Sequence, residues 1–354
     1  VMKRILDFFP PPRFLEMAPV GFSISDSAIR FVDLRRSGAS LKLHAYAEKQ
    51  LAPGLVSGGY VHNIEELTKT IKDFKEEYKL HFVRAALPEE KAYLFKTDVP
   101  TTEEGSIRDS IEFKIEENVP LSVATAVFDY SVIDRHPNKE NEHIDVIVSV
   151  LPIKVAATYI EVLEGAGLIP VSFQVESQAV SRSIIKKGDK DTYFIVNLGK
   201  EKTGLYVVSN ETVHFASTFV LNSASEKDVS KGSSSFVLKN EIKKDEGDSC
   251  DELWVREVAE EIEKLFSYWH THEDKQGELG KKISKVLVCG DHPEVGKCVS
   301  PIASAVNVPV VIANVWTNAF SFDDYIPEIP LIHSEKNKDS SLKYAAAIGL
   351  ALPE

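Results

Sequence analysis

Two stretches of the chain carry residue types suited to holding a phosphate. One is Tyr193–Val208, YFIVNLGKEKTGLYVV: an apolar strand (Tyr193–Val196), a polar turn, Asn-Leu-Gly-Lys-Glu-Lys-Thr-Gly, and a second strand (Leu205–Val208). A turn holding Gly199 and Gly204 can lay backbone N–H groups against a phosphate, because glycine allows positive φ and close approach. The same design occurs in Val20–Leu34, VGFSISDSAIRFVDL, whose turn is Ser23-Ile24-Ser25-Asp26-Ser27-Ala28. The candidate ligand contacts are therefore Gly21, Ser23, Ser25 and Ser27 in the first hairpin, and Asn197, Gly199, Lys202, Thr203 and Gly204 in the second. Gly290, followed by Asp291 at the end of another apolar strand, is a further candidate nucleotide contact. Two such hairpins, each opening a half of the chain, imply two related lobes clasping one nucleotide.

The elements that must position these turns can be read in order. Leu41–Gln50 alternates apolar and polar residues as a strand does. Pro53-Gly54 and Gly58-Gly59 mark a turn-rich passage. Asn63–Tyr78 carries Ile64, Leu67, Ile71 and Phe74 at helical spacing and leads to strand Phe82–Leu87. Residues 91–150 form a distinct β-α-β-β block: strand Ala92–Phe95, a turn at Pro100, a helix capped by Ser106 with Ile107, Ile111 and Ile115 on one stripe, then strands Ala126–Ile133 and Ile144–Leu151 about a charged hairpin, Asp134–His143. Asn118 precedes Val119-Pro120, which stops that helix. Ile153–Leu163 is a helix ended by Gly165 and Gly167, Ile169–Phe173 a strand, and Ser177–Lys186 a helix crossing between the lobes. After the second hairpin come strand Glu211–Thr218, a polar passage Ser223–Asp251, helix Asp251–Thr271 with Trp254, Val258, Ile262, Leu265 and Trp269 on one face, strands Lys285–Cys289 and Val308–Ala313, and a small-residue helix Leu342–Leu352.

Length and composition bound the function. The 354 residues suit two domains. Hydrophobic content of 43% with 27% charged residues is that of a globular protein with a sizeable core. A formal net charge of −13 argues against nucleic acid or an anionic membrane surface as the main partner. The three cysteines, Cys250, Cys289 and Cys298, have no ligand-like spacing and fit a reducing, cytoplasmic setting. No run approaches the ~20 apolar residues that span a bilayer. Met2–Met17, with Phe8-Phe9 followed at once by three prolines, reads as an extended arm docking on the body.

Five motifs in order resemble the FtsA/PilM branch of the actin-like ATPases, and the PilM family of type IV pilus assembly proteins in particular. GFSISDSAIRFVDL is similar to the first phosphate loop and NLGKEKTG to the second. Ile111-Glu112 through Pro120-Leu121 resembles the helix of that family's inserted subdomain. GAGLIPVSFQVE (Gly165–Glu176) and the ending Tyr344–Leu352 resemble two further family segments. The resemblance runs from about Met17 to the C-terminus. It implies an α/β, two-lobed actin/Hsp70-like (ribonuclease H-like) fold with a small inserted α+β subdomain in the first lobe. The division it implies is an arm over 1–17, a first lobe over 18–188 with the insertion at about 91–150, and a second lobe over 189–354. It also implies a cytoplasmic scaffold, peripheral at the inner face of the cell membrane and reaching the membrane only through partners. The implied partner is the N-terminal peptide of a PilN-like inner-membrane protein, held beside the inserted subdomain, in an assembly that can be a homo-oligomer or ring.

The chain departs from the family at the metal positions. There each phosphate loop begins with an aspartate that holds Mg²⁺; here those positions are Ser23 and Asn197. Mg²⁺ favours carboxylate oxygen, and neither serine nor asparagine neutralises it or acts as a base near neutral pH. Phosphoryl transfer depends on metal positioning and charge stabilisation, so ATP or ADP binding is expected to be weakened, Mg²⁺ weak or absent, and hydrolysis very slow or absent. The first loop's usual glycine is Ser25, and the adenine-side motif's second glycine is Asp291. A pure scaffold, a nucleotide binder without turnover, and an active ATPase all remain open on these residues. An FtsA-like division protein is a further alternative, although the chain here stops at Leu350-Ala351-Leu352-Pro353-Glu354 without the amphipathic helix such proteins use as an anchor.

Other residues have plainer readings. Glu176 could orient a water in the cleft, or be a first-turn acid favoured by the helix dipole. His270 and His272 beside Glu273 lack further ligands for a metal site. Cys289 reads as a small core residue. Trp316–Pro330, WTNAFSFDDYIPEIP, reads as a loop packed over the second lobe by Trp316, Phe320, Phe322 and Tyr325.

Overall fold

The computed structural model describes residues 18–38, 40–100, 104–136, 143–220, 250–271, 282–293, 295–323, 325–329 and 340–353. The arm Met2–Met17, residues 223–249 of the polar passage, the hairpin tip 137–142, His272, Glu273 and Pro330 lie outside the described residues. In chain order the first half supplies β1 (Val20–Ile24), β2 (Ala28–Ser37), β3 (Ser40–Gln50), a short ladder of β4 (Val56–Ser57) and β5 (Tyr60–Val61), α1 (Ile64–Tyr78), β6 (Phe82–Leu87), β7 (Tyr93–Pro100), α2 (Glu104–Asn118), β8 (Ala126–His136), β9 (His143–Pro152), α3 (Ile153–Gly165), β10 (Ile169–Val175) and α4 (Glu176–Ile184). The second supplies β11 (Thr192–Leu198), β12 (Thr203–Ser209), β13 (Thr212–Phe219), α5 (Cys250–Thr271), β14 (Lys285–Gly290), α6 (Val295–Ala305), β15 (Val310–Ile312) and α7 (Ala345–Ala351).

The two large sheets repeat one topology. The first has the order β10-β6-β1-β2-β3 and the second β13-β12-β11-β14-β15. In each, the opening three strands form an antiparallel meander and the last two add in parallel beside the first strand. The sequence shows only the two hairpins as a repeat, whereas the structure extends it to whole five-stranded sheets. Strands buried on both faces read as near-continuous apolar runs, which is why Tyr193–Val196 and Val286–Cys289 are uninterrupted.

Local chemistry sets the helices over the first sheet. Asn63 caps α1 by accepting from the Glu66 N–H at 3.1 Å, and Leu67, Ile71 and Phe74 bury the stripe. Together with Tyr159, Val162 and Leu163 of α3 they form one core with Phe22, Phe31 and Val83. Residues 93–152 make a separate small layer, the sheet β7-β9-β8 covered by α2, with Ile111, Ile115, Val99, Val146 and Phe128 in its own core. The second sheet packs α5 through Val258 and Ile262, and the loop residues Trp316 and Phe320 stack at 5.0 Å, with Phe322 and Tyr325 edge-on to Phe320.

Several local expectations need correction. Strand β7 runs on through Pro100 rather than turning there, because Pro100 lies at the strand's end, where a missing donor costs little. Helix α2 already includes Glu104, so Ser106 lies within it rather than capping it. The crossing helix is Glu176–Ile184, starting one residue and ending two residues earlier than expected. Strand β15 is confined to Val310–Ile312, and the final small-residue segment divides into a 3-10 turn, Ser341–Tyr344, and α7. The reading of the sequence passed over α6, whose internal Pro301 masks it.

Helices α4 and α7 cross beneath the first sheet, and glycine makes the approach. A Cβ on Gly349 would sit 1.7 Å from the Ala179 carbonyl oxygen, and one on Gly21 would sit 1.9 Å from that of Ala347. Both obstacles are backbone, which cannot swing aside. Gly21→Ala should therefore lower the stability to urea by on the order of 1–3 kcal/mol. Gly296→Ala in α6, where a Cβ meets nothing within 4 Å, should raise it by about 0.4–1 kcal/mol. Urea midpoints of the two variants moving in the same direction would contradict this packing.

Candidate functional site

Both hairpin turns open onto one cleft between the sheets. It is lined by Ser23 of β1 with Ser25 and Ser27 of the first turn, and by Asn197 of β11, Gly199 and Lys202 of the second turn and Gly204 of β12, with Gly290 and Asp291 beside them. Ser23 and Asn197, the two positions where the resemblance implies metal-holding aspartates, thus share the cleft. Gly21 and Thr203 do not line it: Gly21 lies against α7, and Thr203 is buried in the ladder with Leu198 and Phe219.

The glycines of the second turn have a different use from the one their pattern suggests. Neither Gly199 nor Gly204 takes a positive φ. A Cβ on Gly199 would stand 2.4 Å from the Lys202 carbonyl oxygen, and one on Gly204 2.1 Å from the Tyr206 hydroxyl. They clear room for the chain's own atoms. Gly290 does take φ 120°, and its Cβ would meet the Leu198 carbonyl oxygen at 2.0 Å. The following His292 N–H donates to that same oxygen at 3.0 Å. In the first turn, Ser25 is bound to its own loop: its hydroxyl donates to the Ala28 carbonyl at 3.0 Å and accepts from the Ala28 N–H at 3.1 Å. Asp26 accepts from the Gly58 N–H at 2.9 Å.

Three of the cationic side chains that line the cleft, Arg30, Lys202 and Lys343, meet carboxylates of the chain. Lys202, 13% exposed, places its Nζ 2.7 Å from Glu90 and 2.9 Å from Glu176. Burial works against its charge, but Glu176 and Glu90 outweigh that and hold its pKa well above the ordinary lysine value. Asn197 completes the group by donating from Nδ2 to Glu176 at 3.1 Å. Its other amide atom takes the Cys289 thiol as a donor at 3.7 Å, which gives that core cysteine a polar contact. Glu176 is therefore both a first-turn acid of α4 and a cleft carboxylate. An aspartate at 197 would add a third carboxylate to the two that already share Lys202.

A second group lies on the other side. Arg30 of β2, its side chain 5% exposed, meets Glu48 of β3 at 2.9 Å and also pairs with Asp291. Lys343 pairs with the second oxygen of Glu48. Of the lining side chains, Asp26, Glu176, Glu201 and Asp291 balance Arg30, Lys200, Lys202 and Lys343. The cleft is polar and charged without being electropositive.

Glu89 and Glu90, in a short turn after β6, were not among the residues singled out from the sequence, nor were Arg30, Glu48 and Lys343. Glu89 is buried and accepts from the Ser177 N–H at 2.8 Å, so a carboxyl group from another segment caps α4, whose own N-cap Val175 makes no side-chain bond. Burial lifts its pKa from 4.5 to about 7, with the Ser177 hydrogen bond opposing. No group of metal-ligating side chains occurs among the described residues, and no helix among them is long and apolar enough to cross a membrane.

Residues 21–354 match the family model described as type IV pilus assembly protein PilM. A solved structure described as a PilM-PilN type IV pilus biogenesis complex superposes with a TM-score of 0.71 at 18% identity, covering 96% of this chain and 98% of that one. A Bacteroides thetaiotaomicron protein with an actin-like ATPase fold gives a TM-score of 0.42 at 13% identity, covering 86% and 93%. The cytoplasmic domain of EpsL, an inner-membrane component of the Vibrio cholerae type II secretion system, gives 0.42 at 11%, covering 85% and 99%. No curated protein matches the chain in sequence. The family match and the repeated sheets together give the two-lobed, actin-like α/β fold that the sequence implies.

The pKa of Glu89 fixes a sign for pH dependence. Between about pH 4.5 and 7 the folded chain keeps a proton on Glu89 that the unfolded chain has lost, so this group's contribution to stability falls as pH rises through that window. Glu89→Gln keeps an acceptor for the Ser177 N–H without the buried charge. Its stability relative to the unmodified chain should rise from pH 5 to pH 8 by up to roughly 3 kcal/mol. Urea titrations at the two pH values check this, and a difference that shrinks with pH would contradict it.

Proposed function

The chain belongs to the type IV pilus assembly protein PilM family, and from that premise we propose that it is a scaffold of the inner-membrane pilus assembly complex, binding a partner peptide of PilN type without turning over nucleotide. The observation that carries this reading is the state of the cleft. Arg30 and Lys202, two buried cations that could grip a phosphate, are each held by two carboxylates of the chain, Lys343 pairs with Glu48, and the two metal-loop positions are Ser23 and Asn197. Without a carboxylate at either place, the two loops offer Mg²⁺ no charged oxygen ligand, and phosphoryl transfer depends on that metal being positioned.

The partner peptide lies between the inserted unit and the first lobe. The open edge of β8, with Val127 and Val132 exposed, and the exposed Phe113 of α2 supply backbone donors and acceptors and apolar anchors for an extended segment. The division into a first lobe over 18–188, with its insertion at about 91–150, and a second over 189–354 belongs to the same proposal. So do a cytoplasmic location at the inner face of the membrane and a ring or homo-oligomer as the working form. One observation favours an ATPase as the second reading: Glu176 faces the cleft beside Asn197, where a carboxylate can orient a water.

Two measurements decide between them. Titration with the N-terminal peptide of a PilN-like protein should show saturable binding that is the same with and without ATP; no binding in either condition would contradict the scaffold. Phosphate release from ATP by the unmodified chain should stay at background. Turnover well above background, rising further in the Ser23→Asp, Asn197→Asp double variant, would establish the ATPase instead.

A further inference from the structure

Asp291 occupies a position with the chemistry of an anion site. One of its carboxylate oxygens accepts from the Lys200 backbone N–H at 3.0 Å, in the turn of the second hairpin. The other is bound by the Arg30 guanidinium, which belongs to β2 of the first hairpin. A turn N–H and a buried guanidinium converging from opposite sides of a cleft are the pair of donors that hold a phosphate oxygen. Asp291 is placed there by the backbone: Gly290 at φ 120° passes the chain over Leu198, and the His292 N–H ties the next residue to the Leu198 carbonyl.

We propose that Asp291 is an internal anion that fills a polyphosphate-binding position of the cleft, and that its carboxylate decides whether the cleft takes such a ligand. The charge balance supports this. Arg30 and Lys343 are offset by Glu48 and Asp291. Removing the Asp291 carboxylate takes a negative charge from beside the Arg30 guanidinium and leaves the Lys200 N–H without its acceptor. The site then has the sign and the donors for an inorganic or nucleoside polyphosphate. In the unmodified chain Asp291 joins the two sheets across the cleft, and an incoming phosphate would have to displace it. The inference deepens the reading of this cleft as one that has given up turnover.

The test measures binding of tripolyphosphate and of ATP to the full chain by titration calorimetry, for the unmodified protein and for Asp291→Ala. The expected result is a gain of about tenfold or more in affinity for tripolyphosphate, lost again when Arg30→Gln is added. ATP binding more tightly than tripolyphosphate to the variant would add a nucleoside-reading surface; equal affinities would assign the site to the phosphate chain alone, and both outcomes support the proposal. Should Asp291→Ala not fold, as judged by circular dichroism, Asp291→Asn carries the test: it keeps an acceptor for Lys200 while removing the charge, and a gain in the same direction is expected. Equal or lower affinity in a folded variant overturns the proposal. The affinity of the unmodified chain judges the scaffold reading separately, because tight ATP binding there contradicts weakened nucleotide binding whatever the ratio between variants.

Discussion

Two buried cations, Arg30 and Lys202, set the terms on which the cleft can exist. Taking a charge out of water costs several kcal/mol, and the interior returns that only through close, hydrogen-bonded counter-charges. In a nucleotide-binding cleft the phosphates of the ligand can supply many of those counter-charges. Here the chain supplies them: Glu48 and Asp291 around Arg30, Glu90 and Glu176 around Lys202. Each cation contacts carboxylates from more than one segment. Arg30 thereby joins the first sheet to the end of β14, and Lys202 joins the second hairpin to the turn that leads into the inserted unit. Electrostatic satisfaction and mechanical coupling of the halves are the same set of contacts.

The scaffold around the cleft is arranged to hold those charges in register. Two sheets of one topology each present a hairpin turn to the same space. Helices α4 and α7 approach closely enough beneath the first sheet that only glycine fits at positions 21 and 349. The carbonyl end of α7 is in turn received by arginines: Arg84 donates to the Leu352 carbonyl at 2.7 Å, and Arg182 to those of Leu352 and Pro353 at 3.3 Å. Glu89 caps α4 from the same turn that provides Glu90. A shift of that turn would be felt at the crossing helices and at Lys202 together, which gives the inserted unit a physical connection to the cleft.

Much of this was legible in the sequence because it rests on local patterns. The hairpins, the α1 stripe, the β-α-β-β block and the aromatic loop over the second lobe follow from periodicity, caps and turn residues. Five ordered motifs were enough to imply the fold. The glycines misled, because their pattern suits both phosphate approach and self-packing, and only geometry separates the two. Helix α6 was lost to its internal proline. The ion groups were not legible at all: Arg30 and Asp291 lie 261 positions apart, and no spacing rule brings them together. Ser23 and Asn197 announced the missing carboxylates, but not that cations of the chain had been given other partners.

Side-chain charges of the chain couple the two halves across the cleft. A double-mutant cycle on Lys202 and Glu90, using Lys202→Met and Glu90→Gln in nucleotide-free buffer, measures that coupling directly. A coupling free energy of about 1.5–3 kcal/mol is predicted for a close pair in this setting. A value below about 0.5 kcal/mol, the level at which separate sites simply add, would contradict it.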